Sequence, residues 1–105
     1  MCPYDREIEN IKNQIINKYN PKDIILFGSC AKGRVKRGSD VDICVILETN
    51  DKRRTVREIL TGIDYEVDLD VVIYTPEEWQ KYKDDRATFL YIINRTGASL
   101  IGGFR

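Results

Sequence analysis

Histidine is absent from the 105 residues of the chain. That absence removes Ser-His-Asp and Cys-His nucleophile systems, along with every His-ligated metal site. Cysteine is scarce as well. Cys2, Cys30 and Cys44 are odd in number and form no CxxC pair, so neither a disulfide framework nor a zinc site is expected. They read as free thiols of a reducing compartment, and a cytoplasmic location is expected. No apolar run approaches the roughly 20 residues of a membrane span, and Met1 to Glu7 lacks the apolar core of a signal peptide. No membrane association is expected. Charge of one sign is missing too: 17 basic and 17 acidic residues cancel. The chain as a whole therefore has no bulk attraction for nucleic acid, and such a partner is not expected. GxxxxGK[ST] and GxGxxG are both absent, which excludes the Walker A loop and the dinucleotide turn.

What is present reads as one domain over residues 1–105. Ile8, Ile11, Ile15, Ile16 and Tyr19 recur at helical spacing and predict an amphipathic helix from Tyr4 to Tyr19, ended by Asn20-Pro21. Ile24 to Phe27 reads as a strand, Ser29 towards Arg34 as a short helix, and Gly38-Ser39 as a turn. Val41 to Leu47 reads as a second strand. Val56, Ile59, Leu60 and Ile63 mark a helix whose wet face carries Lys52, Arg53, Arg54 and Arg57. A third strand runs from Val67 to Tyr74. Thr75-Pro76-Glu77-Glu78 is a capping signature, with Thr at N-cap, Pro at N1 and Glu at N3. A last helix is expected from Ala87 to Asn94, stopped by Gly97, with Trp79, Tyr82, Phe89, Leu90 and Ile93 in the core. The expected class is α/β, a small mixed sheet of three or four strands flanked by helices. Strands one and two are too closely joined for a crossover and should be antiparallel; two and three, separated by a helix, should be parallel.

Two features carry chemistry. Asp40 and Asp42 stand one residue apart on a strand, so they share a face with Cα atoms about 6.6 Å apart at about 3.3 Å rise per residue. Like charges that close are unfavourable unless something positive lies between them, and hard divalent cations would supply it. Asp68-Leu69-Asp70 repeats the pattern of Asp40-Val41-Asp42 ahead of the parallel neighbour. In that register Asp70 comes beside Asp42, which makes Asp70 the expected third ligand and Asp68 a solvated or supporting carboxylate. The second feature is Gly28-Ser29. Glycine after a strand permits positive φ and close approach of a ligand, and the first N–H groups of a following helix suit a phosphate.

Taken together, Gly28-Ser29-Cys30-Ala31-Lys32-Gly33 followed by Ser39-Asp40-Val41-Asp42-Ile43-Cys44-Val45 resembles the signature of the polymerase-β-like nucleotidyltransferase superfamily. Val67-Asp68-Leu69-Asp70-Val71-Val72 before Thr75-Pro76-Glu77-Glu78 fits as well. Within the superfamily the resemblance is to the minimal nucleotidyltransferases (MNT), the small antitoxins often paired with a HEPN protein. The resemblance implies the polymerase-β-like fold and a Mg²⁺-dependent transfer of a nucleoside monophosphate, AMP from ATP, to a hydroxyl on a partner protein. It implies that Asp40 and Asp42 hold two Mg²⁺ ions, that Gly28 and Ser29 cradle the outer phosphates, and that Asp70 completes a metal site and helps deprotonate the attacking hydroxyl. ATP or another nucleoside triphosphate is the implied substrate, and a HEPN-like helical protein or a second copy of the chain the expected partner.

Each residue also has a plainer reading. Gly-Ser after a strand is an everyday turn, and Asp40-Val41-Asp42 alone is often a solvated strand end. Lys32, Arg34, Lys36 and Arg37 read equally well as contacts to a triphosphate and as a solvated face. Cys30 reads as small buried filler. The alternative function is a non-catalytic antitoxin module that neutralises its partner by binding. The amphipathic first helix and the segment Phe89 to Phe104 are the surfaces expected to meet a partner.

Overall fold

The computed structural model describes residues 4–31 and 40–102. Within them the chain runs α1 (Asp5–Tyr19), β1 (Asp23–Phe27), β2 (Val41–Ile46), α2 (Lys52–Gly62), β3 (Leu69–Tyr74), α3 (Pro76–Tyr82), α4 (Phe89–Thr96) and β4 (Ala98–Ser99). The strands form one mixed sheet in the order β3-β2-β1-β4. β1 is antiparallel to β2 and to β4, whereas β2 and β3 are parallel. The chain reverses direction across residues 28–40, and the helix between β2 and β3 provides the crossover that a parallel pair needs.

Strand alternation sorts the core into two layers. Ile24, Leu26, Val41, Ile43, Val45, Leu69 and Ile73 face one side, where Ile8, Ile11 and Ile15 of α1 and Ile59 of α2 close over them. Ile25, Cys44 and Ile46 face the other, against Trp79 of α3 and Leu90 and Ile93 of α4. Sheet interiors covered on both faces read as continuous apolar runs, as Ile24 to Phe27 and Ile43 to Leu47 do. The apolar stripe of α1 is spent in this core.

The caps explain the helix ends. α1 stops at Asn20, whose φ of 49° places it in the left-handed region ahead of Pro21. α3 begins with the expected capping box: Thr75 Oγ1 accepts from Glu78 N–H, and Glu78 returns the bond to Thr75 N–H at 2.9 Å.

Four sequence readings are corrected. The last helix starts two residues later than expected, at Phe89, because Thr88 takes the N-cap and accepts from Tyr91 N–H. That phase turns Phe89 outward, 46 % exposed, while Leu90 and Ile93 stay buried. Lys52 is no mere member of a wet face, since it pairs with Glu78 at 2.6 Å and lies over the Tyr74 ring. β4 was not foreseen. Its two residues are anchored by Asp23, fully buried, whose carboxylate accepts from Ser99 Oγ at 2.7 Å. Gly28 to Ala31 form a turn rather than the first turn of a helix. The rest of that expected helix, the Gly38-Ser39 turn and the basic residues Lys32, Arg34, Lys36 and Arg37 lie outside the described residues.

Candidate active site at one end of the sheet

The end of β1 and the starts of β2 and β3 meet at one edge of the molecule. In the ladders Phe27 lies opposite Asp42, and Asp42 lies beside Asp70. Phe27, Asp42 and Asp70 therefore form one row across three strands, on the sheet face that carries α3 and α4. The register read from the repeated Asp-x-Asp pattern is the one the sheet adopts.

Gly28 follows directly. Its φ of 75° is one that residues with a Cβ rarely adopt. A Cβ there would also collide with Asp42 Oδ2. Glycine is thus required twice over: the turn needs the left-handed backbone, and the Asp42 carboxylate fills the space a side chain would take. Ser29, half-buried, and Cys30 complete the turn. Cys30 is 4 % exposed and its Sγ donates to the Asp40 carbonyl at 3.6 Å, which ties the turn to the start of β2. Sequence reasoning assigned Cys30 to filling space and missed this bond, for which the sequence carries no signal.

The electrostatics at the row are unfavourable by construction. Burial raises the Asp42 pKa, and Asp70 adds to it both through its charge and through a side-chain hydrogen bond, with Asp40 contributing least; the result is about 6. A hydrogen bond between two carboxyls requires one of them to hold a proton. The closely coupled pair is accordingly Asp42 with Asp70. Asp40, Asp42's neighbour in the Asp-x-Asp motif, is exposed and precedes β2, and its charge raises the Asp42 pKa least. Asp68 also precedes its strand, and its carbonyl accepts from Val41 N–H at 2.8 Å.

This donor set fits a hard divalent cation. It offers only carboxylate oxygens, and a cation would relieve the repulsion that lifts the Asp42 pKa. Among the described residues, however, no group of three acidic, cysteine or histidine side chains stands ready-made around one point. Of the three expected aspartates, Asp42 and Asp70 stand side by side in the ladder and Asp40 lies just ahead of β2. The described residues enclose no cavity at this end of the sheet. None of the described helices is long and apolar enough to cross a membrane.

A family model described as a nucleotidyltransferase domain matches residues 8–86 of the chain. The matched span contains the whole Gly28, Asp42 and Asp70 arrangement and stops before α4. No curated protein matches the chain.

Proposed function

Since the chain belongs to the nucleotidyltransferase domain family, we propose that it moves AMP from ATP to a hydroxyl on a partner protein, with Mg²⁺ as the cofactor. One observation carries this reading: the row of Asp42 and Asp70 beside a glycine turn whose backbone is one that residues with a side chain rarely adopt. Asp42 and Asp70, with Asp40, would hold the metal, two ions on the pattern that the resemblance implies. When bound, the metal neutralises and aligns the phosphates. The residues themselves do the rest. Gly28 and Ser29 hold the outer phosphates, because the bare Cα at Gly28 lets them approach the backbone. Asp70 accepts the proton of the attacking hydroxyl as its oxygen bonds to the α-phosphorus and pyrophosphate leaves. No histidine base is needed, in keeping with a chain that has none.

In the resemblance to minimal nucleotidyltransferases, the acceptor belongs to a HEPN-like helical partner and the chain acts as an antitoxin. Calorimetry of ATP with Mg²⁺, for the wild type and Asp42→Asn, tests the first half: wild type binds and the variant does not. Intact mass of the co-purified partner after incubation with ATP tests the second, through a gain of one AMP. The alternative reading, neutralisation by binding alone, requires that Asp40→Ala with Asp42→Ala leave neutralisation intact.

A further inference from the structure

The row Phe27–Asp42–Asp70 continues past the carboxylates into aromatic surface. Phe27, directly opposite Asp42, packs on the α4 side of the sheet and makes an edge-to-face contact with Phe89, ring centroids 5.6 Å apart at 84°. An edge-to-face contact occupies at most one face of either ring. Phe89 is 46 % exposed, so ring surface remains open to solvent at the site end of α4. Cross-strand partners lie about 4.5 to 5.5 Å apart. Phe27 therefore links the two: its backbone pairs with Asp42 and its ring touches Phe89.

We propose that Phe89, braced by Phe27, is the platform on which the base of the bound nucleotide stacks. The proposal rests on the reading of the carboxylate row as a nucleotide site, and it adds where the base goes. A base has a flat apolar face, and one open aromatic ring next to the phosphate end is sufficient to receive it. A protein partner fits the same surface less well. Among the described residues the large exposed apolar side chains are Phe89, Ile92 and Ile101, and of these only Phe89 touches Phe27 of the carboxylate row. Because stacking uses the π-face that every base has, the platform favours nucleotides over bare polyphosphate without choosing sharply among bases.

The test compares ATP with inorganic tripolyphosphate, both with Mg²⁺, by calorimetry. Phe89→Ala should weaken ATP about tenfold, the scale of one base–aromatic contact, and leave tripolyphosphate unchanged. Phe89→Tyr should keep ATP affinity, and Ile92→Ala, one turn along α4, should change neither ligand. The half-exposed position lets Phe89→Ala fold, which circular dichroism verifies. Unchanged ATP affinity in Phe89→Ala overturns the proposal, and so does equal weakening of both ligands. Wild type that binds neither ligand sinks the nucleotidyltransferase reading itself. Wild type that binds tripolyphosphate and ATP equally well keeps the phosphate site and removes only the platform.

Discussion

The two ends of the parallel pair β2–β3 treat their carboxylates in opposite ways. At the starting end, Asp42 is pushed up to about 6 by burial and by Asp70, with Asp40 adding least. At the far end, Glu78 is held below its ordinary value, chiefly by the hydrogen bond from Lys52 and by the Thr75 backbone. Glu78 closes a capping box, pairs with Lys52 at 2.6 Å, and sits beside Tyr74 under the Lys52 ammonium. One end is electrostatically complete and stabilises the fold. At the other, the described carboxylates repel one another, and a cation from outside would relieve that repulsion. Perturbed titration of this kind, beside a required glycine, is where binding and chemistry are expected.

The largest expected effect breaks the starting end. Asp42→Asn should lower nucleotidyl transfer by about 10² to 10³, the cost of losing one electrostatic contact to the transition state. The same change removes a repelled carboxylate, so the variant should melt higher than wild type near pH 8 in metal-free buffer. Activity and melting temperature moving in opposite directions is the signature; a variant less stable than wild type would show that Asp42 has a structural role.

Gly28→Ala comes next and tests whether the turn serves the carboxylate. It combines a left-handed backbone, costing roughly 1 to 2 kcal/mol, with a collision against Asp42 Oδ2. Overpacking of that sort costs about 1 to 3 kcal/mol. Combining it with Asp42→Gly should recover part of the stability and none of the activity. An equal loss with and without Asp42 would assign the whole cost to the backbone.

Much of this contrast could be read from the residues. The repeated Asp-x-Asp ahead of two apolar runs placed Asp42 beside Asp70, because a parallel pair buried on both faces has little freedom to slip register. Thr75-Pro76-Glu77-Glu78 announced its own helix. Other features are not local and left no trace. Lys52 meets Glu78 across 26 residues of chain. β4 exists because Ser99 reaches Asp23, 76 residues away. Phe89 points outward because Thr88 fixes the helix phase, and apolar periodicity over eight residues specifies spacing better than phase.

A smaller effect tests the far end. Glu78→Gln removes the charge that Lys52 meets while keeping a side chain able to accept from Thr75. The exposed ion pair contributes between about 0.2 and 1 kcal/mol after solvent screening. Thr75→Ala should cost more, about 1 kcal/mol, because it deletes the cap itself. Chemical denaturation of the two variants orders them. Neither change should alter ATP affinity if the two ends are independent.

The smallest effect is the pH dependence, and its sign separates the ends. Glu78 has a folded-state pKa below its ordinary 4.5. Its stabilisation is therefore present above that value and lost as pH falls through the lowered one. Asp42 runs the other way: its pKa rises from 3.8 to about 6 in the folded chain. The folded state binds that proton more tightly, so stability is highest below 3.8, declines as pH rises to about 6, and stays reduced above it. Asp42 is partly exposed, which limits the effect to below about 1 kcal/mol. Melting curves of wild type and Asp42→Asn in chelator should converge near pH 4 and separate by pH 7, with the variant higher. Adding Mg²⁺ with nucleotide at pH 7 should raise wild type past the variant, because the ligand stabilises only the chain that binds it. If the curves instead run parallel across pH, the Asp42–Asp70 coupling is too weak to distinguish the two ends of the sheet.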